Sequence, residues 1–440
     1  MAEQIFTGAG QGAAARRVAL AGMVALAVAM GIGRFAFTPI LPMMLQAGRI
    51  DLPAASWLAS ANYLGYLLGA AVCTLQPWLW ARLPGLPLLP YAYLVRAGLL
   101  ATGGLTLAMA WNQPAAWPLL RFAAGVTSAI VFVYTSGWCL SRLAGLGRPA
   151  MGGFIYTGPG VGIVVSGLLA SAITALHGGP ATGWLILGVL AFGLAALAWR
   201  GLDGPHGASE RLHRLTAATP LAPGQNAESL RPLEMPVLAL AYSLAGFGYI
   251  ITATFLPVIA RTALPGSGWL DLFWPVFGIG IVSGALLATR LPAHGDRRLR
   301  LAGCYAVQAL GIAVSLWFPT MAGFALGSFL LGLPFTAITF FAIQEVRRLR
   351  PATAAAFIGL LTAGYGIGQF LGPPLVAWLL QRTGNAGEGF SLALEIAAAA
   401  LLLGTALYLG LASAYAAALV APVMLERSAE SEVSGAEADR

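Results

Sequence analysis

The hydrophobic pattern of the chain consists of long apolar runs separated by short segments that contain Arg, Pro and Gly. Each run is close to the roughly 20 residues that a helix needs to cross the hydrocarbon core of a bilayer. The pattern therefore predicts about twelve transmembrane helices. Their predicted ranges are 17–45, 54–79, 90–110, 116–141, 151–175, 183–200, 235–261, 268–290, 300–318, 321–345, 353–381 and 389–416.

The composition is that of a membrane protein, since 58% of the residues are hydrophobic and only 9% are charged. A soluble domain carries about 25% charged residues, so this chain could not cover its own surface in water. Soluble globular enzymes, disordered proteins and collagen-like fibres are therefore excluded. We expect an all-α polytopic membrane protein.

One long polar stretch, residues 201–234, divides the chain in the middle and is rich in proline and charged residues. This composition predicts a cytoplasmic connector between two halves. The first half is expected at 17–200 and the second at 235–416. Cytoplasmic tails are expected at 1–16 and 417–440.

The two halves repeat the same pattern of small residues. The first helix reads GIGRFAFTPILP from Gly31 and the seventh reads GFGYIITATFLP from Gly246, with a glycine and a Leu-Pro pair in register at an offset of 215 residues. The fifth helix reads GPGVG from Gly158 and the eleventh reads GYGIG from Gly364, at an offset of 206 residues. Parallel repeats of this kind are typical of secondary transporters, whose substrate site lies between the repeats near the middle of the membrane. The sequence thus predicts two pseudo-symmetric six-helix halves with a site between them.

All 24 basic residues are Arg, and the formal net charge is +8. If the N-terminus is cytoplasmic, 18 of them fall in inside segments and three in outside loops. The positive-inside rule therefore predicts that both termini are cytoplasmic. The remaining three, Arg34, Arg96 and Arg121, lie within predicted helices. Arg96 is near the inner end of its helix, where a long side chain reaches the interface by snorkelling.

These features resemble the major facilitator superfamily over essentially the whole chain. The first helix, GIGRFAFTPILPMM, is similar to that of the superfamily's uncharacterised bacterial YbfB/YjiJ-like branch. Helix four contains Arg121-Phe-Ala-Ala-Gly125, which resembles an Arg-x-x-x-Gly signature whose arginine is linked to proton coupling. The resemblance implies a twelve-helix secondary transporter.

Two further superfamily motifs are incomplete. Helix five has the Gly-Pro-x-x-Gly core of the "antiporter" motif at 158–162, but Phe154 and Ile163 stand where the family has glycines. The loop after helix two, WLWARLPGLP, keeps Arg82 and Gly85 but lacks the aspartate of the family's cytoplasmic gate. The resemblance therefore implies the fold more strongly than it implies a substrate.

Arg34 lies more than ten residues from either end of its apolar run, and Arg121 lies about five residues into helix four from the outer side. An ionisable residue inside a membrane helix is a functional hypothesis by default, because burying its charge is expensive. The alternative is neutralisation by backbone carbonyls at a helix end or kink, since Arg34 precedes Pro39. Positive charges outnumber carboxylates within the helices of the first half, so we predict a small organic anion as the substrate.

Other polar and aromatic residues are candidates for orienting the substrate, and each is alternatively a satisfied residue of the bundle. They are Asn62 and Tyr66 in helix two, Tyr249 at the position matching Arg34, and Thr362, Tyr365 and Gln369 along one face of helix eleven. Asp271, near the outer end of helix eight, is with Arg121 a candidate for proton coupling. Asp271 is alternatively the partner of an arginine or a helix-start carboxylate on the helix dipole.

Small residues at helical spacing allow helices to approach closely and slide. Candidates for this gating role are Gly65, Gly69, Gly158, Gly162, Gly280, Gly284, Gly364 and Gly368, with Pro159 as a point of bending. The alternative is ordinary tight packing without a role in gating.

The first functional interpretation is a proton-coupled secondary transporter that moves a small organic anion across the bacterial inner membrane by alternating access. The chain has no lysine and so cannot contain the phosphate-binding Gly-x-x-x-x-Gly-Lys loop. One alternative is a proton antiporter that exports amphipathic organic compounds or drugs, favoured by the partial antiporter motif and the many aromatic residues. A second alternative is a membrane sensor that transports nothing.

An enzyme is not expected, because neither His-Glu-x-x-His nor Gly-x-Ser-x-Gly occurs in the chain. Cys73, Cys139 and Cys304 each lie inside an apolar run, so we predict neither a disulfide nor a metal site. No cofactor and no nucleic acid is expected as a partner. We expect a monomer in the lipid bilayer.

Overall fold

The computed structural model describes residues 2–82, 90–202, 233–264, 266, 269–291, 295–350 and 353–415, and in these ranges its regular structure is helical. The first half contains α1 (Ala2–Leu26), α2 (Phe37–Gln46), α3 (Leu52–Arg82), α4 (Tyr91–Ala108), α5 (Trp117–Gly145), α6 (Gly158–Ala175) and α7 (Pro180–Trp199). The second half contains α8 (Glu234–Ala263), α9 (Phe273–Ala288), α10 (Arg297–Trp317), α11 (Met321–Gly332), α12 (Phe335–Leu349), α13 (Ala354–Thr383) and α14 (Ala386–Ala414). Most of the predicted connector, the predicted C-terminal tail and Gly85 lie outside the described residues.

The predicted all-α membrane fold is confirmed. Ten helical stretches among the described residues are long and apolar enough to cross a membrane. The helices α4 and α13 occupy the positions of the predicted third and eleventh spans. The twelve predicted spans therefore account for the long helices in the described part of the chain.

Three helix boundaries differ from the prediction. The first helix begins at Ala2 instead of residue 17, because no proline interrupts the chain before Leu26. The fifth span begins as a 3₁₀ helix, Pro149–Thr157, before it continues as α6. The tenth span divides at Pro334, which separates α11 from α12. Proline lacks the amide hydrogen of a helical bond, and its ring clashes with the carbonyl four residues back.

The repeat seen in the sequence is present in the packing of the helices. A Cβ atom on Gly65 of α3 would lie 2.0 Å from the carbonyl oxygen of Phe122 in α5. A Cβ atom on Gly280 of α9 would lie 2.5 Å from the carbonyl oxygen of Phe329 in α11. The two glycines thus allow equivalent pairs of helices to touch, one pair within each half.

The fifth and eleventh spans pack in the same equivalent way. Gly162 of α6 lies against Ala27, and Gly368 of α13 lies against Ser243 of α8. The other candidate glycines, Gly69, Gly158, Gly284 and Gly364, also contact helices of their own half. Pro159 stands in the first turn of α6, where its missing amide hydrogen leaves no helical bond unmade. These contacts are tight packing within each half, and a gating role for these residues stays a prediction.

The two ends of the bundle differ in charge. One end contains Arg16, Arg17, Arg142, Arg148, Arg200, Arg290, Arg297, Arg298, Arg347 and Arg348. We call it the Arg-rich end, and we call the opposite end, with Arg49, Arg261 and Arg382, the Arg-poor end. The cytoplasmic location of the Arg-rich end stays a prediction.

A buried ion cluster holds the second half together at the Arg-rich end. The guanidinium of Arg298 contacts Glu234 and Asp296 at 2.8 Å each and Glu345 at 3.8 Å. Arg348 contacts the same Glu345 at 2.5 Å. Burial alone would raise the pKa of Asp296, but the hydrogen bonds from Arg298 hold it below its ordinary value. The cluster links the start of α8, the start of α10 and the end of α12.

Replacing Arg298 by Gln should lower the thermal unfolding temperature of the purified protein in detergent. The change leaves three carboxylates without their common partner, and breaking a buried ion pair on one side costs about 3–5 kcal/mol. The matched control is Arg290→Gln, because Arg290 is exposed at the same end. Equal unfolding temperatures for the two variants would show that the cluster does not stabilise the fold.

Candidate functional site

The first membrane span changes its hydrogen-bond pattern where it reaches Arg34. Residues Ala27–Arg34 form a π-helix, and the amide of Phe35 donates to the carbonyl of Met30 at 3.0 Å. The span then resumes as α2, with Pro39 near its beginning. Single π-helical turns within α-helical segments occur frequently at functional sites. Arg34 therefore lies at the end of a π-helical segment, a backbone feature that is common at functional sites.

Arg34 is buried, with 2% of its surface exposed. Its Nη2 atom donates a hydrogen bond to Oε1 of Gln369 in the opposite half. Its guanidinium carbon lies 3.9 Å from the centroid of the Tyr66 ring and 5.1 Å from that of Tyr63. The Nε and Nη1 atoms have no hydrogen-bond partner. Within the described ranges no carboxylate pairs with this guanidinium, so the site presents a positive charge with unused donors.

Gln369 connects Arg34 to a group of aromatic rings in the second half. Its Nε2 atom donates to the hydroxyl of Tyr249 at 2.5 Å. The Tyr249 ring stacks on Tyr365, with centroids 5.8 Å apart, and meets Phe335 at 5.0 Å. Tyr249 is the residue that the repeat pairs with Arg34. Arg34 and Tyr249, which are equivalent positions of the two halves, are therefore linked by hydrogen bonds to the same glutamine.

The axis that relates the two halves passes close to this cluster. The hydroxyl of Thr38 donates to the carbonyl of Ala253, which lies 215 positions later in the chain, at 3.0 Å. The same offset relates the repeats, so a residue and its own counterpart are in contact. Such a contact occurs only near the pseudo-two-fold axis. Arg34 is one helical turn away from Thr38, which puts the cluster at the centre of the interface between the halves.

Arg121 is buried next to Arg34 but is already hydrogen-bonded. Its Nη1 and Nη2 atoms donate to the carbonyls of Gly33 and Arg34 at 3.3 and 3.0 Å. These carbonyls lie at the end of the π-helix, and carbonyls at a helix end lack partners within the helix. Arg121 therefore has the geometry of the alternative given above, in which backbone carbonyls at a helix end accept the hydrogen bonds of the arginine. Arg121 is thus bonded to the backbone that carries Arg34.

Of the remaining candidates for orienting the substrate, Asn62 and Thr362 lie outside the cluster around Arg34, and the others belong to it. Asn62 lies behind the cluster, where its Nδ2 atom donates to the carbonyl of Arg121 at 2.9 Å. The Thr362 hydroxyl donates to the carbonyl of Ile358 in its own helix at 2.8 Å. The structure brings together five of the predicted residues, namely Arg34, Tyr66, Tyr249, Tyr365 and Gln369.

Asp271 lies outside this cluster, towards the Arg-poor end. It belongs to the 3₁₀ turn Leu270–Leu272 that precedes α9, and its carboxylate pairs with Arg261 at 2.5 Å. The side chains of both residues are largely buried, with 11% and 22% of their surface exposed. The structure shows the pairing with an arginine, and it also places Asp271 in the first turn of the helical segment that leads into α9.

Gly160 and Gly278 bring the two halves together, although neither is among the small residues predicted to allow close approach. A Cβ atom on Gly160 of α6 would lie 2.7 Å from the carbonyl oxygen of Gly278 in α9, and the reciprocal distance is 2.8 Å. The sequence contains a feature that could have identified Gly160, because it is the middle glycine of GPGVG and lies on a different face of the helix from Gly158 and Gly162. Tyr63 and Phe335 were also missed, since single aromatic residues in apolar helices carry no distinguishing pattern.

Hydrogen bonds close the interface between Arg34 and the Arg-poor end. The hydroxyls of Tyr63 and Thr254 are 2.8 Å apart. The Ser60 hydroxyl donates to the carbonyl of Phe370 at 3.0 Å. Both are hydrogen bonds between the first half and the second, so the two halves are in direct contact between the site and the Arg-poor end.

Partly exposed aromatic rings lie between the cluster and the Arg-rich end. In the first half Tyr66, Phe132 and Tyr156 form a row, with centroids 6.5 and 6.2 Å apart. In the second half Tyr365 contacts Tyr242 at 4.9 Å. Tyr66, Phe132, Tyr156 and Tyr365 are each only partly buried. These four rings are therefore partly accessible, although Gly153 of the first half also contacts Thr289 of the second half at the Arg-rich end.

Removing the charge of Arg121 and removing that of Arg34 should have different effects on the thermal unfolding temperature. Arg121→Gln leaves two carbonyls unsatisfied, and each unsatisfied buried group costs about 1–3 kcal/mol. Arg34→Gln removes a buried charge that no carboxylate of the described chain neutralises. We expect the first variant to lower the thermal unfolding temperature in detergent and the second to leave it unchanged or raise it. A similar decrease for both would contradict the assignment of different roles.

Comparison with known proteins places these features in a family. The family described as "Uncharacterised MFS-type transporter YbfB" matches residues 26–431. The chain is 31% identical over 168 residues to the inner membrane transport protein YdhP of Escherichia coli strain K12, and equally to that of strain O157:H7. These matches cover 34% of this chain, which spans 40% of the length of either relative.

Solved structures of the nucleoside transporter NupG have the same fold. A point mutant of NupG superposes with a TM-score of 0.67 and the unmutated protein with a TM-score of 0.66, each at 15% identity. Each match covers 90% of this chain, with 99% and 98% of the NupG chains. At this level of identity the likeness shows the fold alone and nothing about the substrate.

Proposed function

The chain belongs to the YbfB-like family of transporters in the major facilitator superfamily, and we propose that it moves a small organic anion by proton-coupled secondary transport. The family membership makes it a multi-pass membrane transporter. The anionic substrate, the coupling to protons and the location of both termini in the cytoplasm are our proposals.

The proposal of an anion rests on the guanidinium of Arg34. It lies at the interface of the two halves, where substrates bind in transporters built from repeats. Its Nε and Nη1 atoms are unpartnered, and its one hydrogen-bond acceptor in the described chain, Gln369, is uncharged. A carboxylate would supply both the missing acceptors and the missing negative charge. Arginine binds carboxylates strongly because its planar donors match their geometry.

The asymmetry of the interface supports alternating access. The bonds Tyr63–Thr254 and Ser60–Phe370 fasten the halves towards the Arg-poor end, while partly exposed aromatic rings lie towards the Arg-rich end. We propose that the Arg-rich end faces the cytoplasm and that this arrangement is the inward-facing state. In the outward-facing state these two hydrogen bonds would be broken. The site would then open to the other side of the membrane.

Removing the charge of Arg34 should weaken transport of the substrate. The assay measures the flux of labelled benzoate, lactate and succinate into proteoliposomes that contain the purified protein. We expect saturable flux of at least one of them. Loss of a hydrogen bond to a charged group costs about 1.5–3 kcal/mol, so Arg34→Gln should raise KM by about 10- to 150-fold.

Two further variants make this experiment specific. Arg34→Lys keeps the charge without the planar donors and should fall between wild type and Arg34→Gln. Arg96→Gln is the matched control, because Arg96 also lies in a membrane helix but donates to the carbonyl of Trp199, away from the interface. An unchanged KM in Arg34→Gln would reject the anion site.

We propose Asp271 as the residue that couples transport to protons. It is a membrane-embedded carboxylate whose partner, Arg261, belongs to the same half. Asp271→Asn should abolish accumulation driven by a proton gradient, while exchange of labelled for unlabelled substrate continues without a gradient. Glu395→Gln, at an exposed position of α14, is the control. Normal gradient-driven accumulation by Asp271→Asn would exclude this role.

The export of amphipathic compounds is the second candidate, and the aromatic lining of the site favours it. The same proteoliposomes distinguish the two, because an exporter of this kind would carry lipophilic cations or neutral compounds and would not depend on Arg34. A sensor that transports nothing would bind a ligand without any flux.

A further inference from the structure

We propose that the substrate is a monocarboxylate with a flat, apolar body, such as an aromatic acid. Polyhydroxylated acids and dicarboxylates are excluded from this class. The inference rests on the proposed anion-transport function and specifies its substrate from the charges, rings and hydrogen-bond groups of the central site.

The number of guanidinium nitrogens without partners points to a single carboxylate. Arg34 has two guanidinium nitrogens without partners. Arg121 lies next to it but uses both of its Nη atoms on backbone carbonyls. Arg261 is paired with Asp271 outside the cluster. The two free nitrogens of Arg34 match the two oxygens of one carboxylate, whereas Arg121 has only its Nε atom without a partner, so a second carboxylate would be buried with too few hydrogen bonds, which is unfavourable.

The walls of the site are aromatic in both halves. In the first half the ring of Tyr66 lies under the Arg34 guanidinium at 3.9 Å. In the second half Tyr249 and Tyr365 are stacked at 5.8 Å, and Phe335 meets Tyr249 at 5.0 Å. Aromatic rings favour offset-stacked and edge-to-face contacts with other rings. A flat body attached to the carboxylate would find such partners on both sides.

Several polar groups around the site are already bonded to partners in the protein. The Tyr63 hydroxyl is bonded to Thr254, and the Thr38 hydroxyl to the carbonyl of Ala253. The amide of Gln369 bonds to Arg34 through its oxygen and to Tyr249 through its nitrogen. The hydroxyl groups of a sugar acid would lose their water without gaining equivalent bonds. This favours a substrate whose body is apolar.

The test measures binding of five probes to the purified full-length protein in detergent by isothermal titration calorimetry. Benzoate has one negative charge and a flat ring. Benzamide lacks the charge, phthalate has a second carboxylate, gluconate replaces the ring by hydroxyl groups, and cyclohexanecarboxylate has a ring that is not flat. We expect benzoate to bind at least tenfold more tightly than benzamide, phthalate and gluconate. Cyclohexanecarboxylate should be weaker than benzoate but stronger than gluconate.

Variants separate the contributions of charge and ring. Arg34→Gln should abolish the preference for benzoate over benzamide. Tyr66→Leu should weaken benzoate more than cyclohexanecarboxylate, because only the former loses a stacking partner. Tyr93→Leu is the matched control, since Tyr93 is exposed on α4 with 59% of its surface accessible. Circular dichroism and size-exclusion chromatography establish that each variant is folded.

The outcomes distinguish this inference from the proposed function. If phthalate or gluconate binds as tightly as benzoate and both depend on Arg34, the anion site stands and the flat monocarboxylate is rejected. If none of the acids binds, or if Arg34→Gln changes nothing, both proposals are rejected. Binding of benzoate with the expected order and the expected effect of Tyr66→Leu supports the inference.

Discussion

The structure depends on a guanidinium that is held between two helical halves without a carboxylate of the described chain to neutralise it. Arg298 and Arg34 are both buried, but Arg298 contacts three carboxylates and Arg34 contacts none in the described ranges. The positive charge of Arg34 is offset by the π faces of Tyr66 and Tyr63 and by the dipole of Gln369. These partners stabilise the charge without cancelling it. A carboxylate paired with Arg34 would have cancelled its charge, and the pair would have had a structural role. Because the charge is only partly compensated, the guanidinium still attracts an anion.

The surrounding architecture keeps this charge in place by making each half rigid. Gly65 and Gly280 allow equivalent pairs of helices to touch within their own halves, with backbone against backbone. Between the halves, hydrogen bonds are concentrated near the axis and towards the Arg-poor end. Contacts of two kinds therefore coexist. Close backbone packing makes each half a unit, and the units are joined by polar contacts together with the close approach of Gly160 and Gly278, an arrangement that suits movement of the halves as rigid bodies.

The sequence predicted the fold well because hydropathy and the repeat are properties of many residues at once. Errors in single positions do not change twelve spans or an offset of 215 residues. The site was predicted in part: the burial and central position of Arg34 followed from its place in the apolar run, and Tyr249 from the repeat. Backbone carbonyls were one of the predicted alternatives for Arg121, but which carbonyls it binds could not be predicted, since this depends on the π-helical turn that exposes the carbonyls of Gly33 and Arg34. Local backbone geometry of this kind leaves no periodic signal in the sequence.

The pseudo-symmetry explains why the charge occurs in only one half. Residues at equivalent positions near the axis face each other, as Thr38 and Ala253 do. An arginine at position 249 would add a third positive charge to those of Arg34 and Arg121 in a low dielectric, and two like charges 4 Å apart repel each other by about 4 kcal/mol even at an effective dielectric constant of about 20. Tyr249 avoids this repulsion, and its hydroxyl accepts the hydrogen bond of the glutamine that holds Arg34. The two halves share the same helical framework, and positions 34 and 249 differ because a like charge at both positions would be repulsive.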